Sequence, residues 1–271
     1  MLHSGSSRNL PYSFSRWTEV PGDPSRWEWF KSRVRQGVFD GFDPVHSGVP
    51  RSWSLLPEDT QELIFWTKNP LALLVDRSVL APFEGKVSVH VTCTGWGEEV
   101  ERGVPGYKKV LPLLQPLVEV YGPERVTWRI SPVPEREVAL LLPLFDLAAG
   151  TGIKRVFCSF LQENAGMGQG LLPPWQKKED ALALVEFGFD RGMQVSFCYD
   201  DQRFAPGVVG VCSPPTTPET PTDDCGCSLA VDPFGIHESC IYNCRYCYVT
   251  TPLLGPKRHN SLTGKRRLTL L

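Results

Sequence analysis

No run of 18 apolar residues occurs in this 271-residue chain, so nothing in it reads as a membrane-spanning helix. The opening stretch MLHSGSSRNLPYSF also lacks the basic start and apolar run of a secretory signal, and the expected location is the cytoplasm. Charge of one sign is missing as well: 28 Lys and Arg stand against 30 Asp and Glu, a formal net charge of -2. Such a balance offers no broad cationic field for nucleic acid. Only Lys257, Arg258, Lys265, Arg266 and Arg267 form a local basic patch, which reads as a solvated terminus. There is no Gly-rich dinucleotide fingerprint, which argues against a doubly wound nucleotide-binding sheet.

What is present suits a globular enzyme-sized protein. Hydrophobic residues make up 41% and charged residues 21%, and the length fits one large α/β domain or two ordinary ones, of which one large domain is the reading taken. Short β-branched and aromatic segments at 62–68, 87–94, 126–130, 155–161 and 194–200 read as strands, and 1–7 is a candidate sixth. Between them lie helical stripes. Val110, Leu113, Leu114, Leu117, Val118 and Tyr121 form one, with Pro112 suiting an opening turn and Pro116 predicting a kink. Val138, Leu141, Leu142, Phe145 and Ala149 form a second, and Ala181, Leu184, Val185 and Gly188 a third. Alternating strands and helices predict a parallel sheet with right-handed crossovers.

The nine cysteines change the character of the C-terminal quarter. Cys93, Cys158 and Cys198 lie in predicted strands and read as small buried side chains. After the Pro- and Thr-rich stretch 213–224, expected to be an extended exposed linker, come Cys225 and Cys227, then Cys240, Cys244 and Cys247. In a reducing compartment, clustered thiols point to metal binding or catalysis rather than to disulfides. Three thiolates within eight residues can wrap one metal centre and leave a coordination position to be filled from elsewhere. The expected fold is α/β: a (β/α) barrel or partial barrel over residues 1–211. A C-terminal cysteine-rich iron–sulfur segment, 212–271, packs on the barrel mouth.

Cys240, Cys244, Tyr246 and Cys247 spell C-x3-C-x-aromatic-C, which resembles the motif of radical S-adenosylmethionine enzymes. That resemblance implies that the three cysteines hold three irons of a [4Fe-4S] cluster and that the fourth iron binds S-adenosyl-L-methionine. It further implies that Tyr246 lies near the adenine and that an electron donor such as flavodoxin or ferredoxin reduces the cluster, releasing a 5′-deoxyadenosyl radical toward an unknown small-molecule or macromolecular substrate. In most of those enzymes the motif follows the first strand, whereas here it follows the last, and no Gly-Gly-Glu stretch is present. Along nearly the whole chain the sequence resembles domain-of-unknown-function family 1848, which looks like a barrel with a C-terminal cysteine cluster. The matching stretches are SGSSRNLP at 4–11, FWTKNP at 65–70, TCTGW at 92–96, GPERVTWRISP at 122–132, FCSF at 157–160, CGCSLAVD at 225–232, CIYNCRYCY at 240–248 and RHNSLTG at 258–264. The chain departs from the family pattern at Asn9 and Ser131, where that pattern carries acids. Cys225 and Cys227 are candidate additional ligands. A non-catalytic iron–sulfur or zinc module with a redox or structural role is the alternative reading of the cysteines, and a further one is nucleic-acid lesion repair, since C-x3-C-x-Tyr-Cys-Tyr also resembles spore photoproduct lyase.

Lys68, Arg129 and Arg8 fall at or just beyond strand ends, where parallel sheets build active sites. Each is a poor core residue unless paired, so they are expected to hold an anionic group of substrate or cofactor, with buried salt bridges as the alternative. Thr94, Trp96 and Ser159 occupy comparable positions, and His237, three residues before Cys240, is read as neither ligand nor proton donor.

Overall fold

A computed structural model describes residues 10–15, 18–43, 50–133, 138–160, 178–198, 207–214, 217–218, 220, 222, 226–234 and 240–247. Six strands form one parallel sheet: β1 (Tyr12–Phe14), β4 (Leu63–Thr67), β5 (Val87–Thr92), β6 (Val126–Ile130), β7 (Arg155–Cys158) and β8 (Gln194–Phe197), in the order β1-β4-β5-β6-β7-β8. Their pairings put Phe65 beside Val89, Val91 beside Trp128 and Trp128 beside Val156 on one face. This face carries the helices. Phe14 and Phe65 pack on Phe30 of α1 (Pro24–Gln36), and Trp128 packs edge-on against Phe145 of α5 (Leu142–Ala149) at 4.9 Å. Leu114 and Leu117 of α4 (Leu114–Tyr121) and Ala181 and Leu184 of α6 (Lys178–Phe189) join the same core. The other face, bearing Trp66, His90, Arg129 and Phe157, carries no helix in the core cluster.

Both edges of the sheet are met by extended stretches from the C-terminal quarter. Val209 bridges to Phe197 at the β8 edge and Val231 to Tyr12 at the β1 edge, both in parallel. Ser228 then donates its N–H to the Ser213 carbonyl at 2.8 Å, joining the two stretches. Hydrogen bonds therefore run in a closed circuit with the helices outside it. Among the described residues six strands make the parallel sheet, short of the eight of a complete (β/α) barrel, and later chain bridges to both of its edges. The stretch expected to be an exposed linker is thus partly built in. Ser213 and Thr220 are buried, and Gln61 donates to Thr220 at 2.8 Å.

Local chemistry explains where the elements differ from expectation. The sixth strand is Tyr12–Phe14, while 1–7 lies outside the described residues. The stripe around 110–121 is split into α3 (Tyr107–Val110), a 3-10 turn Leu111–Leu113 and α4. Pro112 sits in the 3-10 turn and Pro116 in the first turn of α4, where no intrahelical N–H is needed, so the stripe breaks at Leu111–Leu113, ahead of Pro116. Helix α1 and the antiparallel hairpin of β2 (Val38–Phe42) and β3 (Pro50–Ser54) were not among the expected elements. Helix α1 is bounded by Asp23, whose side chain accepts from the Ser25 and Arg26 amides, and by Gly37 in the left-handed conformation. The remaining short helix, α2 (Leu71–Val75), follows β4. Among the described residues no helix is long and apolar enough to cross a membrane.

The contact between α6 and β8 has no room for a methyl group. A Cβ at Gly188 meets the Val195 side chain and the Met193 carbonyl, whereas one at Gly150 meets nothing within 4 Å. Gly188→Ala is expected to lower stability by about 1–3 kcal/mol in urea denaturation while Gly150→Ala stays near wild type.

Candidate functional site

The loops leaving β1, β4 and β5 converge with the segment 240–247. Lys68, one residue beyond β4, places its Nζ 2.5 Å from Glu101 Oε1 and 2.8 Å from the Tyr246 hydroxyl oxygen. Tyr246 donates its hydroxyl proton to the same Glu101 oxygen, and Thr94 Oγ1 donates to Oε2 at 2.7 Å. Glu101 is thereby a buried carboxylate with a cation and two hydroxyls around it. The ring of Trp96 lies 6.2 Å from that of Tyr246, and the Arg245 N–H donates to the Val100 carbonyl at 2.9 Å. The cysteine segment is thus held on the C-terminal end of the sheet, where open parallel sheets place their sites.

A second buried carboxylate, Glu19, stands beside this clamp. It accepts from Thr67 Oγ1 at 2.5 Å, from the Gly22 amide at 2.9 Å and from the Lys68 amide at 2.9 Å. Burial nevertheless pushes its carboxyl up to about 7, against those hydrogen bonds and the Lys68 charge. Burial also raises Cys240, and lifts Cys244 to about 12 although Lys68 opposes it. Lys68 itself is desolvated, which favours the neutral amine, but the Glu101 and Cys244 charges outweigh this and keep it an ammonium. The Tyr246 phenol is held protonated by burial and by Glu101.

Cys240 and Cys247 both push up the Cys244 thiol, and Cys247 pushes up that of Cys240, so the three share one electrostatic environment. As donors they are of the type an iron–sulfur cluster takes: three soft sulfurs, Cys244 buried and Cys240 and Cys247 half-buried, with the Lys68 ammonium acting on Cys244 to offset anionic charge. Among the described residues, no three His, Cys, Asp or Glu side chains are grouped closely enough to hold a metal ion as they stand.

The other expected site residues divide. Arg8, Cys225 and His237 lie outside the described residues. Cys227 has its sulfur 3.3 Å from that of Cys212, at the seam where Ser213 and Ser228 join. Arg129 lies on the helix-free face, its guanidinium 4.4 Å from the Trp66 ring centroid and 5.1 Å from that of Phe157, with the Cys212 thiol as a hydrogen-bond partner. Ser131 pairs its hydroxyl with that of Ser159 at 2.5 Å. Thr94 and Trp96 serve the clamp, and Cys93 and Cys158 are core residues. Glu19, Glu101, His90 and Cys212 had no signal in the sequence, since an isolated acid or histidine in a loop or strand is usually solvated or structural.

The clamp gives a stability test. Lys68→Met strands the Glu101 carboxylate and is expected to lose about 3–5 kcal/mol, whereas adding Glu101→Gln to it should recover part of that loss. Denaturant titration of the two singles and the double measures the coupling. His90, held well below its ordinary 6.5 by burial and by the Arg129 and Arg155 charges, tests the sign of a pH effect. The unfolded chain takes up a proton that the folded one refuses, so stability falls as pH drops below about 6.5. In His90→Gln the loss of stability between about pH 7.5 and 5.5 should be smaller than in wild type.

A family model described as Domain of unknown function (DUF1848) matches residues 12–212, from the first strand to the seam cysteine, and stops short of the 240–247 segment. No curated protein matches the chain. The match takes in the whole parallel sheet, its five crossovers and the chain up to Cys212, and on that ground the chain belongs to the DUF1848 family.

Proposed function

We propose that this protein is an iron–sulfur enzyme of radical S-adenosylmethionine type, with Cys240, Cys244 and Cys247 as the ligands of a [4Fe-4S] cluster. The observation that carries the reading is the clamp: Tyr246, inside the cysteine motif, is bonded to both Lys68 and Glu101 at the C-terminal end of the sheet. A merely appended metal module needs no buried ion pair from two strand ends to seat it. When bound, such a cluster supplies the single electron that splits S-adenosylmethionine into methionine and a 5′-deoxyadenosyl radical.

The chain's own residues then have defined tasks. Lys68 and Glu101 fix the orientation of the cysteine loop through Tyr246. Glu19, with its raised carboxyl, can hold or release a proton near neutrality within reach of Cys240. Trp96 and Tyr242 cover the loop with apolar surface and keep water from it. Tyr246, expected beside the adenine, has its hydroxyl engaged by the clamp, which leaves only its ring for such a contact. Reduction requires a protein donor of the flavodoxin or ferredoxin kind.

Anaerobic reconstitution with iron and sulfide tests this. The expected result is about four irons and four sulfides per chain. S-adenosylmethionine should perturb the electron paramagnetic resonance signal, and reduction should yield 5′-deoxyadenosine. Cys240→Ala, Cys244→Ala and Cys247→Ala should each abolish the product. Zinc bound without iron would sink the reading, and an iron signal indifferent to S-adenosylmethionine would reduce it to an electron-transfer or structural centre.

A further inference from the structure

The helix-free face of the sheet holds a group of nitrogen donors that the clamp does not use. Trp66 on β4 and His90 on β5 are register partners with rings stacked at 4.2 Å, and Arg129 on β6 lies over the Trp66 ring at 4.4 Å. Phe157 on β7, the register partner of Arg129, contacts the guanidinium from its own strand at 5.1 Å. Three nitrogens in this group are buried and have no hydrogen-bond partner among the described residues: Trp66 Nε1, His90 Nδ1 and Arg129 Nη1. His90 is 4% exposed, so bulk water does not serve it. Native interiors rarely leave even one buried donor unmet, and three on one surface point to a ligand that supplies the acceptors.

The chemistry of that ligand follows from the donors. An indole N–H and a guanidinium N–H only donate, so the ligand must accept from both. Arg129 brings a full positive charge, and among the described residues it has no carboxylate at ion-pair distance; its contacts are two rings and the Cys212 thiol. That thiol is kept protonated by its bond with Cys227 and by burial, and is no counter-ion. His90 is held uncharged, first by burial and then by Arg129 and Arg155, so it contributes a hydrogen bond and no charge. With rings packed against the guanidinium, its edge is what remains for binding, and the edge of a guanidinium matches a planar two-oxygen acceptor.

The geometry points to a binding site for the carboxylate of a small organic acid, formed by Arg129 Nη1, Trp66 Nε1 and His90 Nδ1 on the inner face of the sheet. It rests on strand residues and not on the cysteines, and it is present whatever metal the chain carries.

The test uses the full-length chain as purified, in chloride buffer at pH 7.5, with acetate, succinate and inorganic phosphate as probes followed by calorimetry and by ligand-observed NMR. Acetate or succinate should bind saturably. Arg129→Gln should weaken it by about tenfold or more, through the loss of a charge-assisted hydrogen bond. Trp66→Phe keeps an aromatic ring, smaller than the indole, and removes the N–H, and should weaken binding by about fivefold. It also serves as the deciding variant if Arg129→Gln does not fold. Carboxylate binding that is absent, or unchanged in Trp66→Phe, would overturn the site. Phosphate binding more tightly than either carboxylate would overturn the assignment of ligand class. Because iron loading is assayed separately, failure here leaves the cluster reading standing, and the reverse holds too.

Discussion

The buried carboxylate of Glu101 is the group on which the arrangement at the sheet's end depends. A carboxylate taken from water is stable only when charge and hydrogen bonds replace its hydration. Its replacements come from three places far apart in sequence: Lys68 beyond β4, Thr94 beyond β5 and Tyr246 in the C-terminal segment. None can leave without exposing the others to an unpaired charge. The cysteine segment is therefore joined to the sheet by an electrostatic requirement, and the joining residue sits between two of the cysteines.

The sheet divides its labour by face. On the helix side, Phe65, Val91, Trp128 and Phe145 make a dry core of large apolar groups. The opposite face mixes aromatic rings with histidine, arginine, serine and threonine, a composition that does not pack against helices and needs a different cover. The chain that pairs with both sheet edges, 207–214 and 226–232, reaches this face at Cys212, a hydrogen-bond partner of Arg129. The bridging of both sheet edges by later chain leaves Trp66, His90 and Arg129 on the face turned away from the helices.

The parts legible in the sequence were those governed by local periodicity. Strands β4 to β8 are short runs of apolar residues bounded by turns, and each lies within a residue or two of its expected start. Their C-terminal ends were overestimated at Cys158 and Phe197, because an apolar run does not say where pairing stops. Helix α1 escaped notice although Asp23-Pro24 and Gly37 are clear start and stop signals, since its interior is rich in arginine and tryptophan and shows no clean apolar stripe. The cysteine motif was legible by spacing. Its anchors were not: Glu19 and Glu101 acquire their meaning from burial, which only the folded chain creates. Lys68 was singled out as a cation at a strand end, but that its partner is Glu101 depends on two loops meeting. Likewise the pairing of Cys227 with Cys212 spans a stretch whose composition reads as free linker.

The closing seam also sets a schedule for making the protein. Strand β1 emerges first from the ribosome, yet its outer edge is met by Val231, and β8 is met by Val209. Until the last quarter of the chain is synthesised, both margins of a hydrophobic parallel sheet display unpaired N–H and C=O groups, the template on which nascent chains aggregate. The nascent protein therefore passes through a stage in which its protection against self-association is still inside the exit tunnel, and truncated products ending before Val209 carry that hazard permanently.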